Sequence, residues 1–155
     1  MQKITPFIWL EKGAKEAADF YVSVFGGDSK IVNENIMPNT PSGTVEIISV
    51  NLSGENFTLM AAGPFRPITE AISFVVPCDS QEEIDHLWEN LSAVPEAEQC
   101  GWCKDKYGVS WQIIPTDMPT LIGGSDPEAA GRATQAMLAM KKIDIQALKD
   151  ARNAA

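Results

Sequence analysis

Cys100-Gly101-Trp102-Cys103 has the spacing that zinc knuckles and thiol redox sites use. On a helix or a tight loop two such thiols converge. On a strand, residues three apart point to opposite faces. The segment reads as a strand, and no second C-x-x-C or nearby histidine completes a ligand set. Neither zinc nor redox chemistry is therefore expected of it. His86 is the only histidine in the chain. It lies outside the helical stripe formed by Ile84, Leu87, Trp88 and Leu91, so it reads as a surface residue. Glu70 precedes an apolar run and would suit a general base if a rim half-buried it. A solvated rim carboxylate is the plainer reading. These side chains keep two function classes open, a binding protein and a metal-free enzyme using Glu70 or Cys100. No catalytic residue is assigned.

Composition narrows the partners. The 155 residues carry 12 Lys and Arg against 21 Asp and Glu, a net charge of −9. Such a chain repels nucleic acid and anionic membranes, so neither is expected as a partner. A neutral or cationic ligand fits better. The 45% hydrophobic content supports an ordinary core without disulfide or metal staples. Three cysteines, Cys78, Cys100 and Cys103, imply no disulfide framework, and a reducing cytoplasm is expected. The first residues lack the apolar run of a signal peptide, and no apolar stretch approaches the ~20 residues that span a bilayer.

Periodicity then supplies the elements. Ile4 to Leu10 reads as a strand and Ala14 to Phe25 as a helix that Gly26-Gly27 ends. Ser29 to Ile36 reads as a strand and Met37 to Gly43 as a loop. Thr44–Leu52 and Asn56–Ala62 read as a hairpin turning at Gly54-Glu55, which sets Leu52 against Phe57 and Asn51 against Thr58. Ala71 to Val76 is a strand. Ser80 caps a helix with Glu83 completing the capping box. Gln99–Asp105 and Val109–Pro115 form a second hairpin. Gly108 closes its three-residue turn, pairing Lys104 with Ser110, Cys103 with Trp111 and Trp102 with Gln112. Asp126-Pro127 starts a further helix that Lys141-Lys142 closes, and Asp144 starts the last. Shifting the chain by 67 residues lays Phe7 on Phe74, Gly13 on Ser80, Tyr21 on Trp88 and Val24 on Leu91. The order strand, helix, strands thus occurs twice.

Thr5-Pro6-Phe7-Ile8-Trp9-Leu10 followed by Glu16 to Phe25 resembles the opening of the PhnB-like proteins. Glu70 to Val76, Gln99 to Pro115, and the segments Gln135 to Leu138 and Met140 to Asp144 are similar to their later strands and C-terminal helices. The family often carries a 3-demethylubiquinone-9 3-methyltransferase label. Its fold is that of the glyoxalase, bleomycin-resistance and dioxygenase superfamily, also called vicinal oxygen chelate. The resemblance implies an α+β domain over 1–155 of two paired βαβββ modules, 1–63 and 68–115, with a C-terminal helical extension at 117–155. It also implies a cupped sheet around a cavity and commonly a homodimer. It does not imply methyl transfer, because no glycine-rich strand-to-helix turn offers a seat to a nucleotide-like cofactor. No cofactor is expected.

Metalloenzymes of this superfamily hold an ion with His and Glu at four inward strand positions. The best-matching positions here are Pro6, Met60, Ala71 and Gln112, a set that no hard divalent ion would choose. Metal-independent binding of a small molecule is thus the leading expectation. With Gln112 inward by resemblance, strand parity adds Trp102, Cys100, Ser110 and Ile114 to the cavity wall, with Ser73 and Ile8 from other strands. Asn51 and Met60 come from the first hairpin. Trp102 would stack a planar ligand and Gln112 would orient it. A plain core with satisfied polar groups is the alternative. The rival functions are a metal-free enzyme acting on a small, quinone-like substrate and sequestration of a cationic drug.

Overall fold

The computed structural model describes residues 2–154, which fall into two compact units divided between Thr69 and Glu70. The first holds β1 (Phe7–Leu10), α1 (Ala14–Phe25), β2 (Lys30–Thr40), β3 (Gly43–Leu52) and β4 (Glu55–Ala61). Its sheet has the order β1-β4-β3-β2, with β1 parallel to β4 and the other pairs antiparallel. Alternation sends Ile48, Val50, Leu52, Phe57 and Leu59 to one face. There α1 covers them with Ala14, Ala17, Ala18, Tyr21 and Val24. Each large aliphatic side chain buried there contributes about 1.5–3 kcal/mol. Gly26, at φ 58°, closes α1 as expected.

Three expectations need correction here. The loop expected at Met37–Gly43 is mostly strand, since β2 runs on to Thr40 and only Pro41-Ser42 turn the chain. Pro38 fits because β2 is an edge strand, where a missing N–H costs little. The β3–β4 turn sits at Ser53-Gly54, with φ of 48° and 95°, so the register slips by two residues. Leu52 faces Glu55, and Asn51 faces Asn56. A slip of two preserves the faces. Ile8, expected on the cavity wall, is 6% exposed and pairs with Leu59, so it belongs to the helix-covered core. Phe7 and Trp9 share the open face with Thr58 and Met60 instead. A short, uniformly apolar strand carries no parity signal.

The second unit holds β5 (Ser73–Cys78), α2 (Gln81–Leu91), a 3₁₀ turn at Pro95–Ala97, β6 (Trp102–Lys104) and β7 (Ser110–Pro115). The order is β5-β7-β6, with β5 parallel to β7 and β6 antiparallel to it. The α+β class stands. The repeat is realised in the first strand and helix of each unit, and both first strands pair in parallel with the last. The second unit is one strand shorter, with the 3₁₀ turn occupying the chain between α2 and β6. β5 starts two residues later than expected and holds Pro77, again on an edge strand.

Ser80 caps α2 by accepting from the Glu83 N–H at 3.1 Å, while the Glu83 carboxylate accepts from the Asp79 N–H at 2.8 Å. α3 (Met118–Leu121), α4 (Pro127–Leu138) and α5 (Ile145–Asn153) follow. The short α3 has no periodic signal, and α4 ends before Lys141-Lys142. Asp126 and Asp144 cap α4 and α5 as expected. No helix among the described residues is long and apolar enough to cross a membrane.

Candidate functional site

The second hairpin sets the site. Asp105 accepts from the backbone N–H of Tyr107 at 2.8 Å and of Val109 at 3.0 Å, and Gly108 takes φ 87°. The register is the one expected, with Lys104 facing Ser110, Cys103 facing Trp111 and Trp102 facing Gln112. Paired residues share a face. Trp111, Ile113 and Cys103 are buried on the side that α2 covers with Ile84, Leu87 and Leu91. Trp102, Lys104, Ser110, Gln112, Ser73 and Val75 share the other, open side.

A pocket of about 440 Å³ opens on that side. It is lined by Glu70, Glu96, Ala97, Gln99, Cys100, Trp102, Cys103, Lys104 and Ser110. The volume is ordinary for a small-molecule site. The ammonium of Lys104 lies 3.5 Å from the Glu70 carboxylate. The Lys104 side chain is 27% exposed and that of Glu70 is 70% exposed. Ser110 is buried, and its hydroxyl is the one buried side-chain polar atom among the described residues without a hydrogen-bond partner. Such orphans are uncommon and call for a reason.

The expected site residues divide. Cys100, Trp102 and Ser110 line this pocket. Ser73 and Gln112 lie on the same sheet face, where the Gln112 amide donates to the Ser73 hydroxyl at 2.9 Å. Ile8, Asn51 and Met60 belong to the first unit. Met60 is on the open face of its sheet, whereas Asn51 holds the β3–β4 turn. The Asn51 amide donates to Asn56 and its oxygen accepts from the Gly54 N–H. Sequence reasoning passed over Lys104, Glu96, Ala97 and Gln99. Lys104 shares the parity of Trp102 and was open to inference. The other three lie in an irregular stretch with no period to read.

Cys100 is not on a strand. It takes φ 39° beside Gly101 at 89°, in a tight turn where Gln99 and Trp102 exchange both backbone hydrogen bonds. The strand-parity argument against C-x-x-C chemistry therefore does not apply. The chemistry is opposed by other facts. Burial raises the Cys100 thiol pKa. Burial, with the charges of Asp105 and Glu98, pushes that of Cys103 up to about 12. Neither is a ready thiolate at neutral pH. Glu70 is displaced the other way. Its own backbone N–H and the Lys104 ammonium hold its carboxyl below the usual carboxylate range, which suits a fixed negative charge and not a general base. Among the described residues, no three His, Cys, Asp or Glu side chains gather where they could hold a metal ion.

The turn under the pocket is clamped by the chain after β7. The Cys100 N–H donates to the Met140 carbonyl and the Gly101 N–H to the Lys141 carbonyl, both at 2.8 Å. A Cβ on Gly101 would meet the Ile113 carbonyl oxygen at 3.0 Å and Ile143 Cγ1 at 3.2 Å. Gly101→Ala is therefore expected to cost about 2–4 kcal/mol, from positive φ and the close backbone contact together. Gly27→Ala, at φ 56° with open space around it, should cost only about 1 kcal/mol. Urea midpoints of the two variants test the difference. Equal losses would mean that the clamp is not tight.

Residues 2–114 match the family described as 3-demethylubiquinone-9 3-methyltransferase. The PhnB protein from Bacillus cereus has a similar structure, with a TM-score of 0.61 and 31% identity, over 73% of this chain and 99% of that one. Protein PA1353 from Pseudomonas aeruginosa shares the fold, with a TM-score of 0.52 and 19% identity over 74% of this chain and 98% of that one. No curated protein gives a significant match. The family match ends within β7, before the C-terminal helices, so the expected likeness of those helices to PhnB-like proteins lies outside the matched residues. With its matched modules, its parallel strand pairs and its pocketed second sheet, the chain belongs to the 3-demethylubiquinone-9 3-methyltransferase family of PhnB-like proteins.

Proposed function

We propose that this protein binds a small molecule, without a metal ion, on the open face of its second sheet. One observation carries the reading. Trp102, Lys104 and the unpartnered Ser110 hydroxyl converge on one pocket, giving a flat apolar surface beside unused hydrogen-bonding capacity. Metal independence is supported by the donor chemistry of Pro6, Met60, Ala71 and Gln112, which offers no carboxylate or imidazole. Catalysis has less support. Of the two candidate reactive groups, Glu70 is held below the usual carboxylate range, which makes it a weaker base, and Cys100 is pushed up, which keeps it as the thiol and not the nucleophilic thiolate. The three free cysteines support a cytoplasmic setting, and the acidic surface argues against nucleic acid and membrane partners.

A homodimer accompanies this reading. Phe7 at 57% and Val75 at 50% exposure are large apolar side chains on the open faces of their sheets, which a second copy would cover. Native mass spectrometry of untagged protein tests binding and assembly together. The expected species is twice 16.8 kDa, with additional mass from a co-purified organic ligand that Trp102→Ala removes. Elemental analysis of the same sample should find zinc, nickel, iron and manganese well below one ion per chain. A stoichiometric ion would refute metal independence, and a bare monomer at micromolar concentration would refute the dimer.

A further inference from the structure

The proposed site leaves the chemical class of its ligand open, and the pocket's two kinds of charge point in opposite directions. Glu70 and Glu96 favour a cation, whereas Lys104 favours an anion. Geometry decides between them. Lys104 and Ser110 are direct cross-strand partners, so their side chains leave the sheet on the same open face, and both line the pocket. Both can donate to one oxygen. The Ser110 hydroxyl is buried with no acceptor of its own. Among the described residues, Lys104 makes one ion pair, with the Glu70 carboxylate at 3.5 Å, a long contact from a side chain that is 70% exposed. An exposed pair of this kind is held weakly. A ligand oxyanion could replace Glu70 on Lys104 at small cost and satisfy Ser110 at the same time. The next cross-strand pair on the same face is Trp102 with Gln112, two residues along each strand, which places an aromatic side chain beside the two donors.

From this juxtaposition, and resting on the binding reading above, we infer that the pocket takes a planar aromatic ligand bearing an anionic oxygen, a carboxylate or a phenolate. The ring lies on Trp102. The oxygen accepts from the Lys104 ammonium and the Ser110 hydroxyl. Glu70 is then a competitor for Lys104 and not a contact for the ligand.

Three probes of equal shape separate the classes: 2-naphthoate, 2-naphthylmethanol and 2-naphthylmethylamine, titrated by isothermal calorimetry against the full chain. The anion should bind at least tenfold more tightly than the other two, since a charge-assisted hydrogen bond exceeds a neutral one by about that factor. Lys104→Met should weaken 2-naphthoate about tenfold or more. Ser110→Ala should weaken it roughly three- to tenfold while leaving the melting temperature unchanged or higher, because the hydroxyl it removes has no partner to lose. Glu70→Gln should tighten 2-naphthoate severalfold by removing its competitor.

Opposite signs overturn the inference. If 2-naphthylmethylamine binds best and Glu70→Gln weakens it, the site is one for cations. If the three probes bind alike and Lys104→Met changes nothing, the oxygen subsite does not exist, and the binding reading stands without it. If none of the three binds and Trp102→Ala leaves the co-purified mass in place, the binding reading itself fails.

Discussion

Trp111→Ala should destabilise the protein by about 3–5 kcal/mol, the range for a large aromatic truncated in a packed core. Trp111 is 2% exposed. Its ring meets Phe74 with centroids 5.6 Å apart, and its Nε1 donates to Asp105 Oδ2 at 2.8 Å. Removing it opens a cavity under α2 and strips a buried oxygen of its donor. Trp102→Ala removes a ring of the same size from the open face, where packing is one-sided. Its cost should be about 1–2 kcal/mol, with ligand binding lost instead. The two residues stand nine apart on paired strands, and a one-residue slip of the hairpin would exchange their roles. Urea melts of both variants read the difference. Comparable losses, or a larger loss for Trp102→Ala, would show that the faces are assigned wrongly.

Asp105→Ala should cost a similar amount, about 3–5 kcal/mol, though nothing apolar is removed. Asp105 is 1% exposed, and its oxygens accept from Tyr107 N–H, Val109 N–H and Trp111 Nε1–H. Val109 and Trp111 are buried, so at least two donors would be left without a partner or water. Each such donor costs about 1–3 kcal/mol. The same bonds hold the turn that fixes the hairpin register, so Lys104 and Ser110 would lose their alignment as well. Asp105→Asn keeps one acceptor and should cost less, about 1–3 kcal/mol. Trp111→Phe removes only the indole donor. A double-mutant cycle between Asp105→Ala and Trp111→Phe should give a coupling of at least ~0.5 kcal/mol. Strict additivity would mean that the bond does not link hairpin to core.

The second hairpin was legible because local chemistry overdetermines it. Gly108 sets the turn, the turn sets the pairing, and the pairing sorts Trp102 from Trp111. The α1 and α2 stripes and their 67-residue offset were legible for the same reason, since burial repeats along a helix. Ile8 was placed on the wrong face because its strand is apolar on both sides. Its parallel pairing with β4, which decides the matter, is a long-range fact. The Ser53-Gly54 turn was missed because serine at positive φ is held there by Asn51 and the ladder, not by its own preference. In the site, parity delivered Trp102, Ser110 and Gln112. It offered no route to Glu96, Ala97 and Gln99, which an irregular stretch between α2 and β6 brings to the pocket. Cys100 reached the pocket for a reason the strand reading did not contain, a clamped turn beneath the helical extension.

The central claim is that ligand rests against Trp102 on the open face of the second sheet. The chain has four tryptophans, Trp9, Trp88, Trp102 and Trp111, so an ¹⁵N-labelled sample yields four indole N–H signals, assignable by single Trp→Phe variants. These signals can be followed by NMR while 2-naphthoate, or the co-purified ligand, is added to saturation. The expected result is a large shift of the Trp102 signal, with the Trp111 signal fixed by its bond to Asp105 and the Trp88 signal, on α2, unmoved. A Trp102 signal that stays in place while calorimetry shows the site filled would contradict the claim.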